Sequence, residues 1–466
     1  MSASDLFDLV VRGGTVVTAE GRARVDVGVR GGTVAQLGGE MKGTRELDAR
    51  ERFVLPGGVD PHVHISTEKL DDDPGFVDDF TSGSEAALAG GVTTLGNMSW
   101  VMPWETIADR VRLESAEIAR RAIADVFLHT VIAVPTPAVL GEVGGAVAGG
   151  QGSMKIFMSL PSFEASAAEY GLLMGATGAA GGITLIHCED LATIECCTAI
   201  LARDARTHSR HYAEARPVEA ELVAIERAIA MCRATRAPTY IVHLSSAAAL
   251  AACRAARAGG LPLFVETRPL YLYLTAERYG DADGAIYVAQ PPLRETGDAE
   301  ALWRGLADGS IDTIGSDHAP WTRALKMDGA GDVRRARPGV AELDTMLPLL
   351  YTEGVATGRL TLERFVALTA TNAARLFGMY PRKGTLAVGS DADLVVWETR
   401  GRRVIRDEDL FSRARHSVYR GRELRAWPAA TVRRGEVVFE DGKIVGAPGS
   451  GRAVARGRSE RPLPLA

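Results

Sequence analysis

Two histidines separated by one residue, His62 and His64 in VLPGGVDPHVHI, are the first reactive pattern in the chain. A strand sends alternate side chains to one face, so this pair can hold a single ion as a chelate. Further metal-binding residue types stand at the downstream ends of later apolar runs: Lys155 in MKIFMSL, His187 in ITLIHCED, His243 in YIVHLSS and Asp317 in DTIGSDHAP. Four histidines, an aspartate and a lysine, drawn from five runs, make a ligand shell for two divalent metals.

Lys155 needs its own account. Only six of the 53 basic residues are lysines, and this one lies between Met154 and Ile156 in what reads as a buried strand. A buried ammonium is costly unless it is paired or chemically changed. The plain alternative is a lysine that snorkels from a strand end or is neutralised by an ion pair. Beside the metal-binding strand ends, the preferred reading is a carbamate formed with carbon dioxide. That N6-carboxylysine is an anion able to bridge both metals.

The elements that must position these residues follow from periodicity. Strands are expected at 54–60, 93–98, 125–133, 154–160, 182–189, 238–245, 261–267 and 312–317, each followed by a helical stretch rich in Ala, Leu, Glu and Arg, such as PVEAELVAIERAIAMCRAT. Eight βα units predict an α/β fold, a closed (β/α)8 TIM barrel with its site at the C-terminal strand ends, where the candidate ligands fall. Short alternating runs over residues 7–54 predict small antiparallel strands. Similar runs after the barrel, GTLAVGSDADLVVWE and WPAATVRRGEVVFEDGKIVG, predict one β-sandwich built from both chain ends. The expected division is 1–54 and 385–446 for the two sandwich halves, 55–384 for the barrel, and 447–466 for a C-terminal tail, whose basic stretch from Arg452 to Arg461 reads as a solvated end.

Composition narrows the function. No apolar stretch reaches the roughly 18 to 20 residues of a spanning helix. A formal charge of −6 argues against nucleic-acid or membrane partners, either of which needs a basic face. The N-terminus lacks a secretory pattern, and the five cysteines lack CxxC spacing, so a cytoplasmic protein with reduced thiols is expected.

The ordered motifs GGVDPHVHI, the lysine strand, LIHCED, IVHLSS, PPLRE, GSDHAP and ATNAARLFGMYPRKGTLAVGSDADLVVW span nearly the whole chain. In this the sequence resembles the cyclic amidohydrolases: dihydropyrimidinase, hydantoinase, allantoinase and dihydroorotase. The resemblance implies that His62 and His64 bind one metal, His187 and His243 the other, and carboxylated Lys155 bridges them. It also implies that Asp317 ligates the first metal and serves as the catalytic acid/base. The implied reaction is ring opening of a cyclic amide, imide or ureide by a hydroxide held between the metals, zinc being the expected ion.

Departures from the family pattern bear on the substrate. Dihydroorotase resembles HxHxR, where this chain has Ser66, and the histidine that allantoinase and dihydroorotase carry after strand seven is Leu270 here. Both point to the dihydropyrimidinase and hydantoinase branch. In that branch a tyrosine five residues after the bridging lysine faces the oxyanion, yet this chain has Leu160, and Arg335 stands near the place of a loop asparagine. Gln290, in VAQPPLRE, matches a position whose backbone binds the cyclic imide. Ser99 and Trp100, ending strand two, and His318, beside Asp317, are further candidates for the substrate pocket; His318 reads equally well as a support behind the metals. His129 reads as a satisfied core residue, and His208, His211 and His416 as surface residues. The other readings are an allantoinase- or dihydroorotase-like hydrolase, a mononuclear deaminase, a phosphotriester hydrolase, or a silent dihydropyrimidinase-related scaffold. The resemblance further implies a homodimer or homotetramer.

Overall fold

The structure, a computed structural model, describes residues 6–65 and 75–461. Eight strands lie in one sheet in chain order: β1 (Gly58–Val63), β2 (Val92–Val101), β3 (Asp125–Ile132), β4 (Ser153–Phe157), β5 (Ile183–His187), β6 (Thr239–Ile241), β7 (Leu263–Thr267) and β8 (Thr313–Ile314). All seven ladders are parallel. The barrel closes from β8 to β1 through a parallel bridge between Val63 and His318, where the His64 N–H donates to the His318 carbonyl at 2.8 Å. Strands covered on both faces read as continuous apolar runs, and their inward side chains, Val59, Met98, Phe127, Val131, Leu185, Tyr240 and Phe264, fill the interior.

The outer helices include Phe80–Ala89, Ile107–Arg121, Val218–Thr235 and Ala247–Ala258. Several start on side-chain caps that satisfy orphan N–H groups: Asp79, Thr106 and Ser246 each accept from the first turn of their helix.

Two sheets make the second unit. One holds Phe7–Arg12, Val27–Arg30, Thr33–Leu37 and Gly43–Asp48; the other joins Thr15–Thr18, Gly21–Arg24 and Phe53–Pro56 to Leu394–Glu398, Trp427–Arg433, Glu436–Glu440 and Lys443–Ile444. Both chain ends therefore share one core, with Leu9, Val27 and Val29 packed with Leu394, Val396 and Val432. The expectation of purely antiparallel strands is corrected: Phe7–Arg12 pairs parallel with Gly43–Asp48, and Thr15–Thr18 with Phe53–Pro56. Enough chain intervenes in each case for a crossover.

Three other expectations change. Strands β4, β5, β6 and β8 end earlier than the apolar runs do, because the chain bends out of the ladder to present polar side chains. The described part of the basic tail is not wholly solvated: Arg452, Arg458 and Arg461 are exposed, but the Val454 N–H donates to the Val126 carbonyl at 2.8 Å and Arg456 is buried. His416 is also buried, its Nδ1 donating to the Ala414 carbonyl at 3.0 Å. A polar, arginine-rich neighbourhood had suggested exposure, but those arginines pair with acids and carbonyls of the adjoining loops.

Candidate metal centre and active site

Six predicted ligands meet at the C-terminal end of the barrel from five strands. His62 lies in β1 and His64 one residue past it, Lys155 is the third residue of β4, and His187 is the last of β5. His243 and Asp317 follow β6 and β8 with φ of 38° and 47°, left-handed conformations uncommon for non-glycine residues. Such backbone persists only where its surroundings hold it, and here it turns both side chains back over the barrel mouth.

One half of the cluster is built on Asp317 Oδ1, which lies 3.3 Å from His62 Nε2 and 3.1 Å from His64 Nε2. In the other half His187 Nδ1 faces His243 Nε2 at 2.9 Å. The His62 and His243 rings stack at 5.4 Å and tie the halves together. Lys155 is fully buried, its Nζ has no hydrogen-bond partner, and its charge acts on His62 and on the His187–His243 pair alike.

Carboxylates behind the rings fix which nitrogen is presented. Glu266 Oε1 accepts from His62 Nδ1 at 2.8 Å, leaving the Nε2 lone pair toward the cluster. Glu189 Oε2 accepts from His187 Nε2 at 2.9 Å, leaving the Nδ1 lone pair toward His243 Nε2. This is the carboxylate–histidine arrangement that orients metal ligands. Burial depresses the His62, His187 and His243 imidazoles below their ordinary value, and neutral rings are the form that binds metal.

The acid groups divide by environment. Burial pushes Glu266 and Asp60 up to about 7 each. Burial would also raise Asp317, but the Arg268 guanidinium, 2.5 Å from Oδ2, and the facing histidines hold it well below the ordinary carboxylate range. Arg268 is itself clamped by Glu342 at 2.7 Å. Burial lowers the Lys155 amine to about 8.

His62, His64 and Asp317 form a three-donor group that fits a divalent ion. Three facing nitrogens and oxygens lie within 4.8 Å of one another at His62, His64 and Asp317. The orphaned Lys155 Nζ is the buried polar atom that a carbamate would satisfy.

Glu266, Arg268, Glu189, Asp60 and Glu342 escaped the sequence reading. The signal for the first two was present: FVETR places two charges at the end of an apolar run, the feature that singled out Lys155. Among the pocket candidates, Leu160 is half-buried and starts the helix Pro161–Ala165. Gln290 Nε2 donates to Tyr212 Oη at 3.3 Å. Ser99 is buried in β2, and Trp100 stacks on Phe157 at 5.1 Å. His318 points to Asp78, 2.9 Å from its Nε2, while its Nδ1 accepts from the Glu342 N–H at 3.1 Å. Arg335 is exposed, 3.7 Å from Asp328. Ser66 lies outside the described residues.

Residues 188–438 match the amidohydrolase family. D-phenylhydantoinase of Escherichia coli K12 is 35% identical over 457 residues, covering 96% of this chain and 98% of that protein. The chain belongs to the amidohydrolase family. Its fold agrees with two solved amidohydrolase relatives, the dihydropyrimidinase of Brevibacillus agri NCHU1002 (TM-score 0.92, 31% identical, 97% of this chain and 99% of that one) and the L-hydantoinase (dihydropyrimidinase) of Arthrobacter aurescens (TM-score 0.90, 30% identical, 97% and 100%). No described helix is long and apolar enough to cross a membrane.

Proposed function

We propose that this amidohydrolase opens the ring of a cyclic amide or imide of hydantoin or dihydropyrimidine type. The observation that carries the reading is the convergence of His62, His64 and Asp317 beside the His187–His243 pair, with a buried Lys155 amine that has no hydrogen-bond partner. His62, His64 and Asp317 would hold one divalent ion, His187 and His243 a second, and carboxylated Lys155 would bridge them. Two such ions, zinc by preference for this nitrogen and oxygen set, supply a water of lowered pKa and polarise a ring carbonyl.

The residues do the rest. Asp317 takes the proton released on attack and returns it to the departing ring nitrogen, so that nitrogen leaves as a neutral carbamoyl or amide NH2. Arg268 keeps Asp317 ionised and ready to accept. The main chain at Gln290 borders the ring, while Trp100, Phe157 and Leu160 offer apolar surface to a ring substituent. His318, its ring held by Asp78 and Glu342, serves the site through the β8 loop.

Five free thiols suit a reducing cytoplasm. A homodimer or homotetramer is proposed on the family resemblance, and light scattering reads it directly.

The test is a panel of hydantoins, dihydropyrimidines and other cyclic ureides scored for ring opening. With Leu160 in place of a phenol donor, 5-substituted hydantoins are expected to react faster than dihydrouracil, and Leu160→Tyr to move the ratio toward dihydrouracil. A panel with no ring opening by metal-replete protein refutes the reading.

A further inference from the structure

The basic tail enters the barrel from the end opposite the metal centre. Val126 donates to the Arg452 carbonyl and Val454 donates back to Val126, both at 2.8 Å, so the tail adds a parallel bridge at the start of β3. Arg456 then turns inward. Its guanidinium lies 5.2 Å from the centre of the Phe127 ring, Nη2 donates to the Leu128 carbonyl at 2.6 Å, and Nη1 donates to Ser153 Oγ at 2.8 Å. No carboxylate pairs with it among the described residues, so the tail carries a buried charge that packing alone does not require.

Ser153 is two residues before Lys155 on β4, on the same face. Its Oγ lies 2.6 Å from His129 Nδ1, and His129 Nε2 lies 2.9 Å from the carbonyl of Pro61, the residue before His62. The direction of this chain is fixed by chemistry. A guanidinium only donates and a carbonyl only accepts, so Ser153 accepts from Arg456 and passes its own proton toward His129 Nδ1, and a neutral His129 donates from Nε2 to Pro61. On the other side of that peptide the His62 N–H donates to Asp60 Oδ1 at 3.0 Å. The peptide entering His62 is thus pinned at both its carbonyl and its N–H, and Glu266 fixes the ring.

We propose that Arg456 is a positioning residue for the metal centre: through Ser153 and His129 it holds the Pro61–His62 peptide, so that the C-terminal tail sets how His62 meets its ion. This rests on His62 being a ligand, as read above. A tail that only plugs the barrel floor would affect stability and leave metal affinity alone.

The experiment uses the full chain, stripped of metal, with zinc affinity measured by competition against a chromophoric chelator and the His129 tautomer read from nitrogen-15 histidine spectra. The wild type is expected to show His129 as the neutral Nε2–H form; an Nδ1–H or doubly protonated ring overturns the proposal. Arg456→Met, which keeps the volume and removes the donors, is expected to weaken zinc binding about tenfold, the lower end for partners that orient a ligand, and Arg456→Lys to retain most of the affinity. If Arg456→Met does not fold, Ser153→Ala breaks the same chain with the tail in place and should weaken zinc binding equally. Zinc affinity within twofold of wild type in the folded variant overturns the proposal. A wild type that binds no zinc would instead bring down the ligand assignment beneath it.

Discussion

Among the described residues three lysines are buried, and their surroundings separate them. Lys326 Nζ donates to the carbonyls of Val288, Arg337 and Gly339 within 2.8 Å, and Lys383 Nζ contacts Asp125, Asp391 and Asp393 within 3.0 Å. Of these three, Lys155 alone has no hydrogen-bond partner, its Nζ facing the Phe157 ring at 4.8 Å. Rarity of lysine in the composition did not distinguish these three, because it cannot see the carbonyls and acids that satisfy two of them. Lys155→Met should abolish ring opening and raise the melting temperature of metal-free protein at neutral pH. Below about 8 the wild-type ammonium is charged and buried; as pH rises from about 8 toward the unfolded value of 10.5 that penalty fades, so the gain from Met should shrink over this window. The same value makes carbamate formation faster as pH rises through 8 at fixed carbon dioxide, since only the neutral amine reacts. Asp317→Asn should keep most of the metal and lose about two to four orders of magnitude in kcat; a variant within tenfold of wild type would remove Asp317 from the proton transfer.

Strand ends decide where chemistry can sit. The predicted strands reached His243 and Asp317, whereas β6 stops at Ile241 and β8 at Ile314, and both residues turn into positive φ. An apolar run reports burial, not ladder pairing, so it could place these residues at the barrel mouth without revealing the bend. Types and spacing made the histidines and Asp317 legible, while Glu266 and Arg268, though marked by charges at the end of an apolar run, act through neighbours that only the fold reveals. Glu266→Gln keeps the volume and weakens acceptance from His62, from Tyr240 Oη at 2.8 Å and from the His243 N–H at 2.9 Å. It should cost about 10- to 100-fold in metal affinity, measured by zinc competition.

At the scale of the molecule, barrel and sandwich are joined at a buried ion cluster. Lys383 neutralises Asp125 at the start of β3 together with Asp391 and Asp393 before the strand Leu394–Glu398, and Arg434 adds a contact to Asp125 at 3.1 Å. Lys383→Met leaves carboxylates buried without their cation and should lower unfolding stability by about 3 to 5 kcal/mol, read from denaturant midpoints, with kcat unchanged. The two-unit architecture was legible because its periods differ, two residues in the sandwich and strand-then-helix in the barrel. The fate of the tail was not, since arginines that bury against carbonyls have the same composition as arginines in solvent. Ring opening by this molecule depends on a two-metal centre. Its most direct test is a zinc titration of chelator-stripped protein in bicarbonate buffer, following ring opening of 5-phenylhydantoin. Turnover should be negligible without metal and level off at two equivalents per chain; full turnover without metal, or a plateau at one equivalent, would contradict it.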